Sequence, residues 1–169
     1  MTAQHLSTLY DYSMWANARL FRAMADLSDE AFTRTVAGSY GSIRNTLVHV
    51  MSTEWGWTSR CGGPPRPAKL NAEEFPTLES VASTWKTIEG HVQSFLSTLD
   101  DDALAREVSY PGSGGETRTM PLGELMHHAI LHAMHHRGQV ALLLRELGVA
   151  PGNMDLLFYY AETQGVSAW

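Results

Sequence analysis

Five of the eight histidines lie within residues 121–148, and their spacing is the main chemical signal of this sequence. Pro121 suits the first turn of a helix and Gly148 suits the residue just after one, so the stretch is predicted to form a single long helix. At about 100° per residue, His136 lies inside the apolar stripe of that helix and His132 lies about 60° to one side. Both imidazoles are therefore expected to point into the protein. The stripe consists of Leu122, Leu125, Met126, Ala129, Ala133, Val140, Leu143, Leu144 and Leu147.

His132 and His136 are four residues apart, which places their side chains together on one helix face. Neutral imidazoles in this arrangement can bind zinc or a similar divalent ion, provided that at least a third ligand comes from elsewhere. A single buried histidine is more often a hydrogen-bonded core residue, but two unpaired imidazoles would be costly among leucines. His128 is also four residues from His132 and is the alternative partner, ranked second because it lies about 100° from the stripe. His127, His128 and His135 are predicted to be border or surface residues.

The composition excludes several classes of protein. The 169 residues are enough for one domain, 1–169, with a sizeable core. A net charge of −6 and a pI near 5.7 argue against binding to nucleic acid or to an anionic membrane. The single cysteine, Cys61, excludes an intramolecular disulfide framework, and the N-terminus lacks the pattern of a signal peptide or a membrane span. We therefore expect a cytoplasmic protein.

The elements that must position the histidines are helices. Four stretches carry apolar residues at helical spacing, namely 2–27, 43–60, 78–99 and 121–148. Ser42 and Thr77 precede the second and third of these and are predicted N-caps. Ser28 is predicted to cap a short extra turn that ends at Phe32, and residues 100–102, all aspartate, are predicted to close the third helix.

The connections complete the architecture. Residues 61–76 hold four of the seven prolines, so they are predicted to cross the surface between the second and third helices without regular structure. Residues 106–120 contain two short strand-like segments around a Pro-Gly-Ser-Gly-Gly turn, which predicts a β-hairpin just before the last long helix. A short segment, 154–163, is predicted to pack back on the helices. The predicted fold class is all-α, a four-helix bundle with a long crossover and a small β-hairpin.

Three groups of residues on these helices resemble one known family. They are YSMWAN at 12–17, GSI at 41–43 with TLVHV at 46–50, and HAMHHRGQ at 132–139. Together, and in this order over nearly the whole chain, they resemble the DinB/YfiT-like family of small metal-binding helical bundles. The His-Arg-Gly-Gln ending of a His-x-x-x-His helix, with one histidine on an earlier helix, is the most specific part of the resemblance.

The resemblance implies an up-down-down-up bundle that holds one divalent metal ion per chain. Three imidazoles suit zinc, nickel, iron or copper, and of these zinc or nickel is expected. The three ligands would be His49, His132 and His136. This set includes the same pair that the helical geometry selects, and it adds the missing third ligand. The neighbours of His49 do not predict a ligand by themselves, because its small polar surroundings would equally suit an exposed face.

Three nitrogen ligands leave at least one coordination position open, as in catalytic metal sites. An ion there can lower the pKa of a bound water or of a substrate thiol, and some relatives in the resembled family transfer low-molecular-weight thiols. The leading hypothesis is a metal-dependent enzyme that acts on a small molecule, as a thiol S-transferase or a hydrolase. Asn17 and Gln139 are candidates to orient a ligand imidazole or the metal-bound water from outside the ligand set.

The alternative hypothesis is a non-catalytic module, in which a metal-stabilised bundle binds a ligand or a partner during a stress response. No basic surface that could hold DNA is predicted in this acidic chain. The aromatic residues on helix faces allow a homodimer, which is common for such folds.

Overall fold

The computed structural model describes residues 1–65 and 68–167, which form seven helices and one antiparallel hairpin. The elements are α1 (Ala3–Ala23), α2 (Asp29–Thr33), α3 (Ile43–Arg60), α4 (Leu78–Leu96), α5 (Asp101–Leu104), β1 (Glu107–Pro111), β2 (Thr117–Pro121), α6 (Leu122–Glu146) and α7 (Leu156–Gln164). A single 3-10 turn, Ala72–Glu74, lies between α3 and α4. The predicted all-α class with a small hairpin before the last long helix is confirmed.

Helix α1 packs against α6 in the same direction. The Tyr10 hydroxyl donates to the backbone oxygen of Met126 at 3.0 Å, near the start of α6. Farther along both helices, Arg137 Nη1 donates to Ser13 Oγ at 2.8 Å. Because later residues of one helix meet later residues of the other, α1 and α6 are parallel.

Helix α3 packs against α6 in the opposite direction. The ring of His49 lies 4.9 Å from that of His132, whereas Trp57, later in α3, lies 5.6 Å from His128, earlier in α6. Helix α4 runs alongside α3 in the same direction, after the long crossover. The bundle is therefore up-down-down-up, and α1, α6, α3 and α4 follow one another around a common core.

Local sequence explains where most helices begin. Five of them start at a polar side chain that accepts the backbone N–H of the third residue that follows, and these caps are Thr2, Ser28, Ser42, Thr77 and Asp100. Helix α6 begins differently, since it follows β2 directly. The Leu122 N–H donates to the backbone oxygen of Arg106 at 2.8 Å, so the hairpin sets the first turn of the histidine helix.

Two helices are shorter than predicted. Helix α1 ends at Ala23 and α4 ends at Leu96, four and three residues before the predicted ends. The reason is the cap that follows in each case. Ser28 (ψ 152°) and Asp100 (ψ 179°) need extended backbone in order to accept their N–H groups, so the chain leaves the helix before it reaches them. The aspartate run therefore begins α5 as well as following α4.

Most of the crossover between α3 and α4 belongs to the described residues. Arg66 and Pro67, which belong to the predicted irregular loop 61–76, lie outside the described residues. The rest of that loop contains the 3-10 turn, which the sequence did not predict. Among the described helices, each is too short or too polar to cross a lipid bilayer.

Candidate metal centre

Three histidines meet between α3 and α6. His132 and His136 lie one turn apart on α6, and His49 faces them from α3. His132 Nε2 lies 3.0 Å from His49 Nε2 and 3.1 Å from His136 Nε2. The potential ligand atoms of all three residues lie within 4.8 Å of one another. Within residues 1–65 and 68–167, this is the group of histidine, cysteine or carboxylate side chains whose donor atoms converge in this way.

The separations fit a divalent ion. Zinc–nitrogen bonds of about 2.0–2.1 Å at tetrahedral angles place the ligand nitrogens about 3.3 Å apart. The separations of His132 Nε2 from His49 Nε2 and from His136 Nε2, 3.0 and 3.1 Å, need to open by only a few tenths of an ångström. A set of three imidazoles without a thiolate is typical of open metal sites, whereas closed structural zinc sites have four protein ligands. The cluster can therefore hold a metal ion.

Electrostatics keep two of these imidazoles in the form that binds metals. Burial, followed by repulsion from His136 and Lys69, lowers the pKa of His49 to about 4. Burial, followed by repulsion from the neighbouring histidines, also lowers the pKa of His132 to about 4. Both side chains are consequently neutral at pH 7, and each has a lone pair available for a cation.

These pKa values predict an unusually weak dependence of metal affinity on pH. Between pH 7.0 and 5.5, two ordinary histidine ligands would lower the apparent affinity by about 70-fold through protonation. With pKa values of about 4, His49 and His132 should together lower it by less than about 1.1-fold. Competition titrations of zinc against a chromophoric chelator at the two pH values measure this change. A loss of about 70-fold or more would contradict the neutral cluster.

Gln139 contacts His136 from outside the ligand set. Its Oε1 lies 2.7 Å from His136 Nδ1, and it also accepts a hydrogen bond from Ser39 Oγ at 2.8 Å. On the other side of the amide, Gln139 Nε2 lies 3.1 Å from His135 Nε2. An Nδ1–H on His136 that donates to Gln139 leaves the Nε2 lone pair directed at the other histidines.

The walls around the cluster are partly aromatic. Tyr40, which is 45% exposed, stacks on His49 with ring centroids 3.8 Å apart and an interplanar angle of 18°. A cleft of about 210 Å³ opens beside His49, and its lining includes Tyr40, Asn45, Lys69 and Leu70. On the opposite side of the cluster the α3 residue Trp57 is close to His128 and Tyr110.

The other histidines of α6 lie where their angles predicted. His128 and His135 are exposed, and His127 is half-buried beside a groove formed with α1. The ring of His128 lies 6.0 Å from that of His132, compared with 4.4 Å between His132 and His136. His136 is therefore the better placed partner, and His128 packs against a tryptophan instead.

Asn17, a candidate to orient a ligand imidazole or a metal-bound water, makes its side-chain hydrogen bonds away from the histidine cluster. Its Oδ1 accepts from Arg137 Nη1 at 3.0 Å and its Nδ2 donates to Glu89 Oε1 at 3.0 Å. Asn17 thus bridges two charged groups inside the bundle. The reason is its helix: α1 lies on the side of α6 that carries Arg137, and the histidines face α3.

Two site residues, Ser39 and Tyr40, were missed at the level of sequence. They lie in the connection before α3, where the pattern Gly-Ser-Tyr-Gly is typical of a loop and indicates no particular contact. The closely spaced glycines were the available signal, because a loop with several positive φ angles is often built for a specific contact. Which contact it makes depends on packing between distant parts of the chain.

Comparison with known proteins identifies the family of the chain. The family model described as "DinB family" matches residues 1–166. The chain belongs to the DinB family. Two proteins of Bacillus subtilis (strain 168) are similar over most of their length. The protein DinB is 24% identical over 163 residues, covering 92% of this chain and 94% of its own. The uncharacterized protein YizA is 28% identical over 142 residues, covering 84% of this chain and 87% of its own.

A solved structure supports the DinB fold. The crystal structure of a DinB-like protein from Bacillus cereus ATCC 10987 superposes with a TM-score of 0.75 at 18% identity. The match covers 90% of this chain and 97% of that chain. At this identity the similarity concerns the fold, and the chemistry has to be argued from the residues of this DinB-family chain.

Proposed function

We propose that this DinB-family protein is a metal-dependent enzyme that acts on a small molecule, as a thiol S-transferase or a hydrolase. The observation that carries the proposal is the convergence of His49, His132 and His136 without a fourth protein ligand among the described residues. Such a donor set leaves a position at which a substrate can bind the ion. Zinc and nickel are the ions we expect, because both accept imidazole ligands.

A bound ion would supply Lewis acidity and would lower the pKa of a coordinated thiol or water. The protein's own residues have separate tasks. His49 and His132 stay neutral and hold the ion, because burial keeps their pKa values at about 4. Gln139 orients His136 through the Nδ1 contact of 2.7 Å. Tyr40 covers one face of the His49 ring and limits access of water from that side.

The cleft beside His49 is the proposed place for the rest of the substrate. Its volume of about 210 Å³ favours a small molecule over a drug-sized or polymeric one. Its polar lining includes the amide of Asn45 and the ammonium group of Lys69. A low-molecular-weight thiol that also carries a carboxylate fits this combination, since Lys69 can attract the negative charge while the sulfur reaches the ion.

The proposal is tested with zinc-loaded and nickel-loaded protein on two reactions. In the first, glutathione or cysteine displaces chloride from 1-chloro-2,4-dinitrobenzene, so that an S–C bond forms and a proton and chloride are released. In the second, p-nitrophenyl acetate is hydrolysed. We expect one of them to be accelerated, and kcat/KM to fall at least about 100-fold in His49→Ala, equivalent to about 2.7 kcal/mol of transition-state stabilisation.

The non-catalytic alternative predicts a different result. If the ion only stabilises the bundle, added zinc raises the melting temperature of the wild type, yet neither reaction exceeds the rate with free zinc. His128→Ala is the matched control, because it removes an imidazole from α6 outside the ligand set and should keep the activity.

The homodimer predicted from the sequence stays a prediction. The exposed apolar side chains Leu131, Met134 and Leu142 on α6 support it.

A further inference from the structure

Ser39 has a backbone conformation that its residue type disfavours. Its φ is +49°, and it is the non-glycine residue with positive φ in the described part of the chain. The nearby Gly38 (φ 85°) and Gly41 (φ 83°) adopt such angles without steric conflict, and a glycine at position 39 would do the same. A strained serine between unstrained glycines indicates that the side chain has a role which glycine could not fill.

The hydroxyl of Ser39 connects the two helices that carry the metal ligands. Ser39 Oγ donates to Gln139 Oε1 on α6 at 2.8 Å. Because this bond uses the single proton of Ser39, the contact with Thr46 Oγ1 on α3 at 2.9 Å has Thr46 as its donor, and the Thr46 hydroxyl also lies 2.7 Å from the Ser42 backbone oxygen. Thr46 is fully buried one turn before His49, so the loop is attached to a rigid part of α3. Through Gln139, the same hydroxyl is one contact away from His136 Nδ1.

The orientation of the Gln139 amide decides which nitrogen of His136 carries the proton. In the structure the amide oxygen faces His136 Nδ1 and Ser39, and the amide nitrogen faces His135. If the amide were rotated by 180°, its NH₂ group would face Nδ1 and the imidazole proton would move to Nε2. His136 would then present an N–H to the cluster in place of a lone pair.

We propose that Ser39 is a positioning residue of the metal centre, which fixes the Gln139 amide so that His136 keeps its Nε2 lone pair for the ion. The proposal rests on the metal-dependent function above. With Thr46 as donor to Ser39, the Ser39 proton is directed at the Gln139 amide oxygen, and a glycine at position 39 would remove this preference for one amide orientation. Ser39 acts through Gln139 and does not itself touch the ion.

Ser39→Gly separates this role from a structural one, because it removes the strain and the hydroxyl together. The metal-free variant should melt at the same temperature as the wild type or higher. Its zinc affinity should fall about 10–100-fold, as for other residues that orient a metal ligand. In the metal-free wild type, ¹⁵N chemical shifts of His136 should report the Nδ1–H tautomer, and in Ser39→Gly a mixture of tautomers.

Repeating Ser39→Gly in a Gln139→Glu protein shows whether the effect of Ser39 acts through the Gln139 amide. Gln139→Glu places two equivalent carboxylate oxygens at this position, and a carboxylate has no wrong orientation. In that background Ser39→Gly should change the zinc affinity less than about threefold, against the 10–100-fold expected with Gln139. Ser113→Gly, in the exposed turn of the hairpin, is the matched control and should change neither the affinity nor the His136 tautomer.

Two results would overturn the proposal. One is a Ser39→Gly protein with the wild-type His136 tautomer, and the other is an equal loss of affinity with Gln139 and with Glu at position 139. The tautomer is measured without metal. A failure of the metal-dependent function, seen as absence of zinc binding by the wild type, is therefore distinguishable from a failure of the role assigned to Ser39.

Discussion

His132→Ala should weaken metal binding by more than about 100-fold, which exceeds the loss expected from a residue that only orients a ligand. His132 Nε2 is within 3.0 Å of His49 and 3.1 Å of His136, so it joins the ligands of the two helices. Without it, two imidazoles remain, one on α3 and one on α6. Two neutral ligands leave most of the coordination sphere to water, and the ion should be lost on purification.

The expected readouts are metal content and thermal stability. Elemental analysis should find close to one ion per wild-type chain and close to none in His132→Ala. At a free metal concentration of about 100 times Kd, binding adds about 2.7 kcal/mol to the free energy of unfolding. For a protein of this size that raises the melting temperature by about 5–10 °C. The His132→Ala protein should show no such increase.

His128→Ala is the matched control for this experiment. His128 lies one turn earlier on the same helix, is exposed, and packs against Trp57. Its removal should leave zinc affinity within about threefold of the wild type, since surface changes away from a site have small effects. Equal losses in the two variants would favour the alternative ligand pair of His128 and His132. A wild type that takes up neither zinc nor nickel would contradict the metal centre itself.

Arg137→Met should destabilise the protein by about 3–5 kcal/mol, the range expected when one partner is removed from a buried network of charges. Arg137 is only 2% exposed, and its Nη1 donates to Ser13 Oγ at 2.8 Å and to Asn17 Oδ1 at 3.0 Å. Its positive charge also faces two acidic groups, Glu54 and Glu89, which counteract the effect of burial on its pKa. Methionine fills similar volume but leaves these partners without a cation.

The loss should depend on pH with a definite sign. Burial raises the pKa of Glu54 from 4.5 to about 7, while its hydrogen bond from Trp85 and the charge of Arg137 act in the opposite direction. Because the folded pKa is higher than the unfolded one, the folded state binds the extra proton, and the associated stability is lost as the pH rises through about 7. Without Arg137 the pKa of Glu54 should rise further. Arg137→Met should therefore lose more stability at pH 8 than at pH 6.

Denaturant unfolding of the wild type and the variant at both pH values measures these differences. Arg145→Met serves as the control, because Arg145 lies on the same helix but is exposed, and its replacement should cost less than about 0.5 kcal/mol. A loss below about 1 kcal/mol in Arg137→Met, or the same loss at pH 6 and pH 8, would show that the buried guanidinium is not the charge partner of these acids.

Two neighbouring side chains of α6, His136 and Arg137, are both buried, but only one of them lies on the apolar stripe. Sequence periodicity predicted that His136 points inward, and it is 7% exposed. By the same angles Arg137 lies beyond the far edge of the apolar stripe, yet its guanidinium is buried and interacts with the charges of Glu54 and Glu89. The angle of a residue about its helix axis follows from the sequence of that helix alone. Its burial also depends on which side chains of the neighbouring helix pack against it.

The features that could be predicted from the sequence depend on residues close to one another in the chain. The caps at Ser42 and Thr77, the His132–His136 spacing and the four-helix class follow from hydrogen bonds within a turn and from an apolar period of 3.6 residues. The resemblance added His49 as a ligand, and local patterns around that residue could not have supplied it. The family membership is now shown by the match over residues 1–166.

The pairing of the remaining polar groups depends on contacts between distant parts of the chain. The tertiary structure placed Asn17 with Arg137 and not with the histidines, and it brought Ser39 to Gln139 across 100 residues of sequence. Such contacts depend on the relative height and rotation of packed helices and on the path of a loop with positive φ angles. These are properties of the assembled bundle. A helix forms its backbone hydrogen bonds and caps from its own residues, but the partners of its polar side chains depend on which helix packs against it.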